Sequence, residues 1–324
     1  MMKSWQTNII YYIFCAFLGL FTFAKASNGD RSYIFGKCNE SCLKNNCSNL
    51  TDFNLTQPLY MKFLQWTCRD ECKYECMWTT VDAFSRDGSN VPQFYGKWPF
   101  VRYAGIQEPA SMIFSFLNGL THLAVLCYRS KVPSSTPMFH VWHGMALVGF
   151  VTWMCATIFH ARDTPFTEKM DYFSAFGLVV YNLFSLICRV IGSSHQYILS
   201  VVVLLLAGLY GYHIHYLAFV RFDYGYNMKV NLIVGAVNGL GWLVWCYYNH
   251  RSKPYVWKCA AVIIGLNGLL ILEVFDFPPL FWTLDAHALW HAGTVPLNIL
   301  WYRFITDDAL YKQKEDDADV KKLV

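Results

Sequence analysis

Charged residues are scarce in this 324-residue chain: Asp, Glu, Lys and Arg make up 15% of it and the net charge is only +4. The basic residues are spread over short connections instead of being gathered into a stripe, which excludes nucleic acid as a partner. Paired C-x-x-C knuckles are missing too, although the chain has 12 cysteines, and this argues against zinc binding by the thiols. What the chain has in abundance is apolar matter, 55% hydrophobic and 18% aromatic residues, the composition of a membrane protein.

The first 26 residues run from Lys3 through an apolar stretch, Ile9 to Phe23, to Ala24-Lys25-Ala26, which has the small-x-small form of a signal-peptidase site. An uncleaved anchor is the alternative, against which stands the shortness of the apolar run. Six cysteines follow before residue 102, Cys38, Cys42, Cys47, Cys68, Cys72 and Cys76, together with four N-glycosylation acceptors at Asn39, Asn46, Asn49 and Asn54. Both features belong to an oxidising, secretory compartment and predict three disulfides, with 15 possible pairings left open.

From Pro109 onward long apolar runs alternate with short polar connections. Seven runs are expected to span the membrane, roughly 109–128, 138–159, 172–187, 197–216, 230–248, 257–272 and 286–304. The fold class expected is an all-α membrane protein, a seven-helix bundle behind a disulfide-rich luminal segment. The expected divisions are a signal peptide at 1–26, a luminal segment at 27–104, the bundle at 105–305 and a cytosolic tail at 306–324. Lys and Arg favour the connections that this orientation makes cytosolic. The C-terminal Lys321-Lys322-Leu323-Val324 has the dilysine form read by a retrieval coat in a cytosolic tail.

An ionisable group at membrane depth costs several kcal/mol unless it is paired or hydrated. Of ten histidines, His122, His140, His143, His195, His213, His215 and His250 read as packed or interfacial residues. His287 and His291 are four apart at the start of the last span, so a helix puts both imidazoles on one face, the spacing a tetrahedral metal takes from one helix. His160 ends the second span and Asp171 opens the third. The topology brings these four residues to one luminal depth, where three histidines with an open fourth position form the catalytic zinc pattern and a carboxylate orients water.

Several stretches carry a family resemblance: Trp66 to Cys76, Pro92-Gln93-Phe94-Tyr95-Gly96-Lys97-Trp98-Pro99-Phe100, His160 to Tyr172, Arg221 to Asn227, and Asp276 to His291. Over nearly the whole mature chain it resembles the family of post-GPI attachment to proteins factor 3, one branch of the seven-span metal hydrolases that include alkaline ceramidases and adiponectin receptors. The resemblance implies a Golgi hydrolase of phospholipase A2 type that removes the unsaturated sn-2 acyl chain of GPI-anchored proteins within the membrane lipid. It implies Zn2+ on His160, His287 and His291, with Asp171 as the catalytic group that holds the attacking water. One position departs. The group's serine lies one helical turn before the first histidine, where this chain has Ala156, and Thr157 is turned about 100° away. Losing such a donor raises a barrier by about 3 kcal/mol. A ceramidase-like amide hydrolase is the enzymatic alternative; a seven-span receptor or a non-catalytic chaperone for lipid-anchored cargo is the alternative outside catalysis.

Overall fold

Cysteines one helical turn apart on two antiparallel helices can be joined rung by rung, and this is how the Cys-rich segment folds. The computed structural model describes residues 27–48, 53, 56–127, 132, 134–192 and 195–323, so residues 1–26, expected to be a signal peptide, and Asn49 and Asn54 lie outside the described residues. Helix α1 (Tyr33–Asn46) starts at Ser32, whose hydroxyl accepts from the Phe35 N–H. After the short α2 (Leu59–Phe63), α3 (Cys68–Arg86) starts at Thr67 in a reciprocal capping box with Asp70. Cys38 bonds to Cys76, Cys42 to Cys72 and Cys47 to Cys68, with Cα–Cα distances of 5.6, 5.6 and 5.8 Å. The 15 pairings thus resolve to one nested ladder. The sulfurs of Cys47, Cys68 and Cys72 lie within 4.8 Å of one another, yet all are disulfide-bonded and offer no thiolate to a metal. Asn46 is exposed at the end of α1 and Asn39 is half-buried in its middle.

Two further signature stretches, Pro92 to Phe100 and the greater part of Asp276 to His291, complete this unit. Tyr95 and Gly96, both at positive φ, form a two-residue turn with Phe94 and Lys97 bonded in both directions, and Phe94 is buried against Phe35. On either side of that turn, the Gln93 amide and the Trp98 indole donate to the two oxygens of Asp276. Leu280 and Leu284 pair across a second tight turn in which Phe281 and Trp282 are both left-handed, and the Trp282 ring stands edge-on to Trp78 at 5.1 Å. The Arg102 guanidinium lies over Trp66 and Tyr74, at 3.4 and 4.1 Å, and donates to Glu71. The first compact unit accordingly runs to Gly105 and takes in Ile271–His287, a piece that the sequence reading assigned to the bundle.

The second unit holds the long helices: α4 (Pro109–Cys127), α5 (Phe139–Ala161), α6 (Pro165–Ile191), α7 (Gln196–His215, continued by a π-turn to Val220), α8 (Tyr224–Asn249), α9 (Val256–Phe275) and α10 (Ala286–Leu323). Five of them, α4 to α8, are long and apolar enough to cross a membrane; the apolar part of α9 is shorter, 256–272. Helix α6 starts earlier than expected, because Thr164 caps it and Pro165 occupies its first position, so Asp171 stands in the second turn and not at the opening. Helix α10 runs on through 306–323, where the sequence reading expected a separate tail.

Helix α4 is inverted relative to a soluble amphipathic helix. Its buried face is Pro109, Ser111, Ser115, Asn118, Gly119 and His122, while Ile113, Phe116, Leu117 and Leu120 are exposed. In lipid the apolar side faces outward and small or polar residues fill the helix contacts. An aromatic core lies beside it, with Trp242 edge-on to Trp245, Trp301 and Phe304. The core ends at Asp308, 2% exposed, which takes two hydrogen bonds from Arg189 (2.6 and 2.9 Å) and one from Tyr255 (2.8 Å).

Two outcomes follow. Non-reducing peptide mapping of the purified protein recovers the linked pairs 38–76, 42–72 and 47–68, and replacing Cys38 and Cys76 together by Ser costs about 2–5 kcal/mol of stability, read as faster limited proteolysis. Asp308→Ala strands the Arg189 charge and costs about 3–5 kcal/mol, read as a lowered Tm of the detergent-solubilised chain.

Candidate metal centre

Helix α5 is the most enclosed of the five candidate spans, with 50% of its apolar window buried against 6% for α7. At its C-terminal end stands His160, 2% exposed. The last carbonyls of a helix need outside donors. Here the N–H groups of Gln107 and Glu108 reach Ala161 O and His160 O, both at 3.0 Å. Glu108 also opens α4: its carbonyl accepts the Met112 N–H, and Pro109 follows it at the first helical position.

The Glu108 side chain, 7% exposed, puts Oε2 2.7 Å from His160 Nδ1. The other ring nitrogen, His160 Nε2, faces His291 Nε2 at 3.1 Å. The boundary between the two compact units passes through the first turn of α10, so His287 rides on the same continuous helix as His291, one turn ahead of it. His160, His287 and His291 each bring a ring nitrogen within 4.8 Å of the other two. Tetrahedral zinc with bonds of about 2.0–2.1 Å separates two ligand nitrogens by about 3.3 Å, so the spacing between His160 and His291 fits such an ion. The donor set, three imidazoles with one hydrogen-bonded to a carboxylate on its far side, is the set that zinc takes at open sites.

The seat of His291 is built from α4. Asn118, fully buried, donates through Nδ2 to the His291 carbonyl at 2.9 Å and accepts from Asn298 at 2.8 Å. Thr294 Oγ1 lies 2.8 Å from the same His291 carbonyl. One turn further, His122 Nδ1 is 2.5 Å from the Tyr302 hydroxyl. The His122 ring occupies the place of an absent side chain at Gly149, where an added Cβ would stand 2.3 Å from it. The other histidines that read as packed or interfacial include His143, His195 and His250, each bonded to a carbonyl of its own helix or turn, and His213, which meets Asn227.

Asp171 is half-buried on α6, where the Ser174 hydroxyl donates to its carbonyl. Ala156 is buried, and the neighbouring Thr157 hydroxyl donates to Trp153 O at 2.7 Å. Sequence reading missed Glu108 and Asn118. Each carried a signal: an acidic residue directly before the proline that opens an apolar run, and an amide in the middle of one.

A family model described as the Per1-like family matches residues 58–309. The chain belongs to this family. Similar proteins include one from Homo sapiens named GPI-specific phospholipase A2-like PGAP3, 46% identical over 94% of this chain and 96% of that protein. One of the same name from Mus musculus is 48% identical over 92% and 94%. The post-GPI attachment to proteins factor 3 of Drosophila melanogaster is 39% identical over 88% and 90%. No solved structure matches. The Per1-like match and the apolar helices together make this a multi-pass membrane protein.

If these three imidazoles hold zinc, His291→Ala should lower the zinc content, measured by metal analysis of the purified chain. His250→Ala, an exposed position, should leave the metal content unchanged.

Proposed function

We propose that this Per1-like chain hydrolyses an acyl ester of GPI-anchored proteins at the membrane surface, releasing the unsaturated sn-2 chain. The observation that carries the reading is the convergence of three imidazole nitrogens within 4.8 Å in a chain of long apolar helices. Its substrate is supported by relatives whose printed names are GPI-specific phospholipase A2-like. His160, His287 and His291 hold the metal, and Asp171 is the acid-base group of the reaction. Bound zinc supplies Lewis acidity toward the ester carbonyl and a water activated near neutral pH. Asp171 would serve as the proton acceptor for an attacking water and would return that proton to the departing alkoxide. The buried Trp153 and the half-buried Trp290, with ring centroids 5.3 and 5.0 Å from His291, cover one side of the ligand.

The same reading puts the centre at the luminal face of the Golgi membrane, with the Cys-rich unit luminal and glycosylated at Asn39, Asn46, Asn49 and Asn54. Lys321 and Lys322 then lie in the cytosol, within reach of a retrieval coat. A non-catalytic role toward lipid-anchored cargo has one observation in its favour: Ala156 offers no donor and the Thr157 hydroxyl is taken by Trp153.

Cells lacking this protein should display GPI anchors that keep the unsaturated sn-2 chain, read by mass spectrometry of released anchors. Wild type should restore the saturated form, whereas Asp171→Asn, nearly isosteric but unable to take a proton, should not. Unaltered anchors in the deletion favour the cargo role, and accumulation of ceramide would favour the amide hydrolase.

A further inference from the structure

We propose that Glu108 is the positioning residue of the metal centre: its carboxylate fixes His160 in the tautomer that points a bare Nε2 at the metal. This rests on the metal reading given above. A neutral imidazole carries its proton on one nitrogen or the other, and only the unprotonated nitrogen can ligate. An ionised carboxylate accepts and cannot donate, so with Oε2 2.7 Å from Nδ1 the proton belongs on Nδ1. Nε2, the nitrogen that faces His291 at 3.1 Å, is then left with its lone pair.

Three features make the arrangement rigid. Both groups are buried, 7% and 2% exposed, so water does not compete for either. Glu108 holds His160 twice, by side chain to the ring and by its own N–H to the His160 carbonyl at 3.0 Å, which leaves little play between the two backbones. Its negative charge sits at the N-terminus of α4, where the free amides of the first turn favour an anion. Helix α4 contributes no ligand, yet through Glu108 it decides which nitrogen of His160 is available.

Glu108→Gln separates this role from mere packing. Glutamine has the same size and keeps a hydrogen bond to the ring, but its amide can donate as well as accept, so His160 is free to adopt the Nε2–H form. The test is zinc affinity of the full-length, detergent-solubilised chain by competition with a chelator, supported by the visible spectrum of the cobalt-substituted protein. Glu108→Gln should elute and melt as wild type does while binding zinc about 10–100-fold more weakly, with a changed cobalt spectrum. Unchanged affinity and spectrum in a normally folded Glu108→Gln protein would overturn the proposal and leave the metal reading standing. A wild-type chain that takes up no zinc in the same titration would overturn both.

Discussion

A polar group enclosed by apolar helices can bond only to other enclosed polar groups, and the inward face of α4 is built on that constraint. From Glu108 to His122 the helix meets His160, the His291 carbonyl, Thr294, Asn298 and Tyr302 in turn. Each partner satisfies a donor or acceptor that would cost several kcal/mol if left bare in a bundle. The same bonds set the height of α5 and α10 against α4. The histidine trio depends on this register more than on any contact among its own rings, because a displacement of one turn would carry His160 or His291 about 5 Å away.

Pro296 lies inside α10, five residues beyond His291, and removes one intrahelical donor from that turn. A helix weakened there needs outside support. Asn118 provides it from α4, bonding the His291 carbonyl and the Asn298 amide on either side of the proline. The ligand segment is thus held by side-chain bonds where the backbone ladder is thinnest.

Most of the helical architecture was legible because apolar length and period dominate it: helices α4 to α10 coincide with the seven expected runs, although only five of the described helices are long and apolar enough to cross a membrane, and the spacing of four places His287 and His291 one turn apart on α10. Boundaries were less legible. Thr164 and Pro165 start α6 ahead of its apolar run, since capping chemistry and not hydrophobicity sets a helix start. Glu108 lay in what read as a connection, and its importance depends on a carbonyl and a ring 52 residues away, a distance no local pattern encodes. The disulfide pairing was hidden for the same reason: spacing near four fits several ladders, and only the antiparallel course of α1 and α3 together with their alignment selects one.

That last ambiguity is a property of the molecule as well as of its reader. Sliding α1 along α3 by one turn would pair Cys38 with Cys72 and Cys42 with Cys68, leaving Cys47 and Cys76 over; the opposite slide strands Cys38 and Cys68. Cys47 Sγ lies 3.8 Å from Cys72 Sγ, so the wrong neighbour is within exchange distance of the right one. Only the native alignment consumes all six thiols. The third bridge therefore acts as a parity check on the other two: any misaligned form carries a spare thiolate next to a disulfide, and that thiolate is the reagent that corrects it.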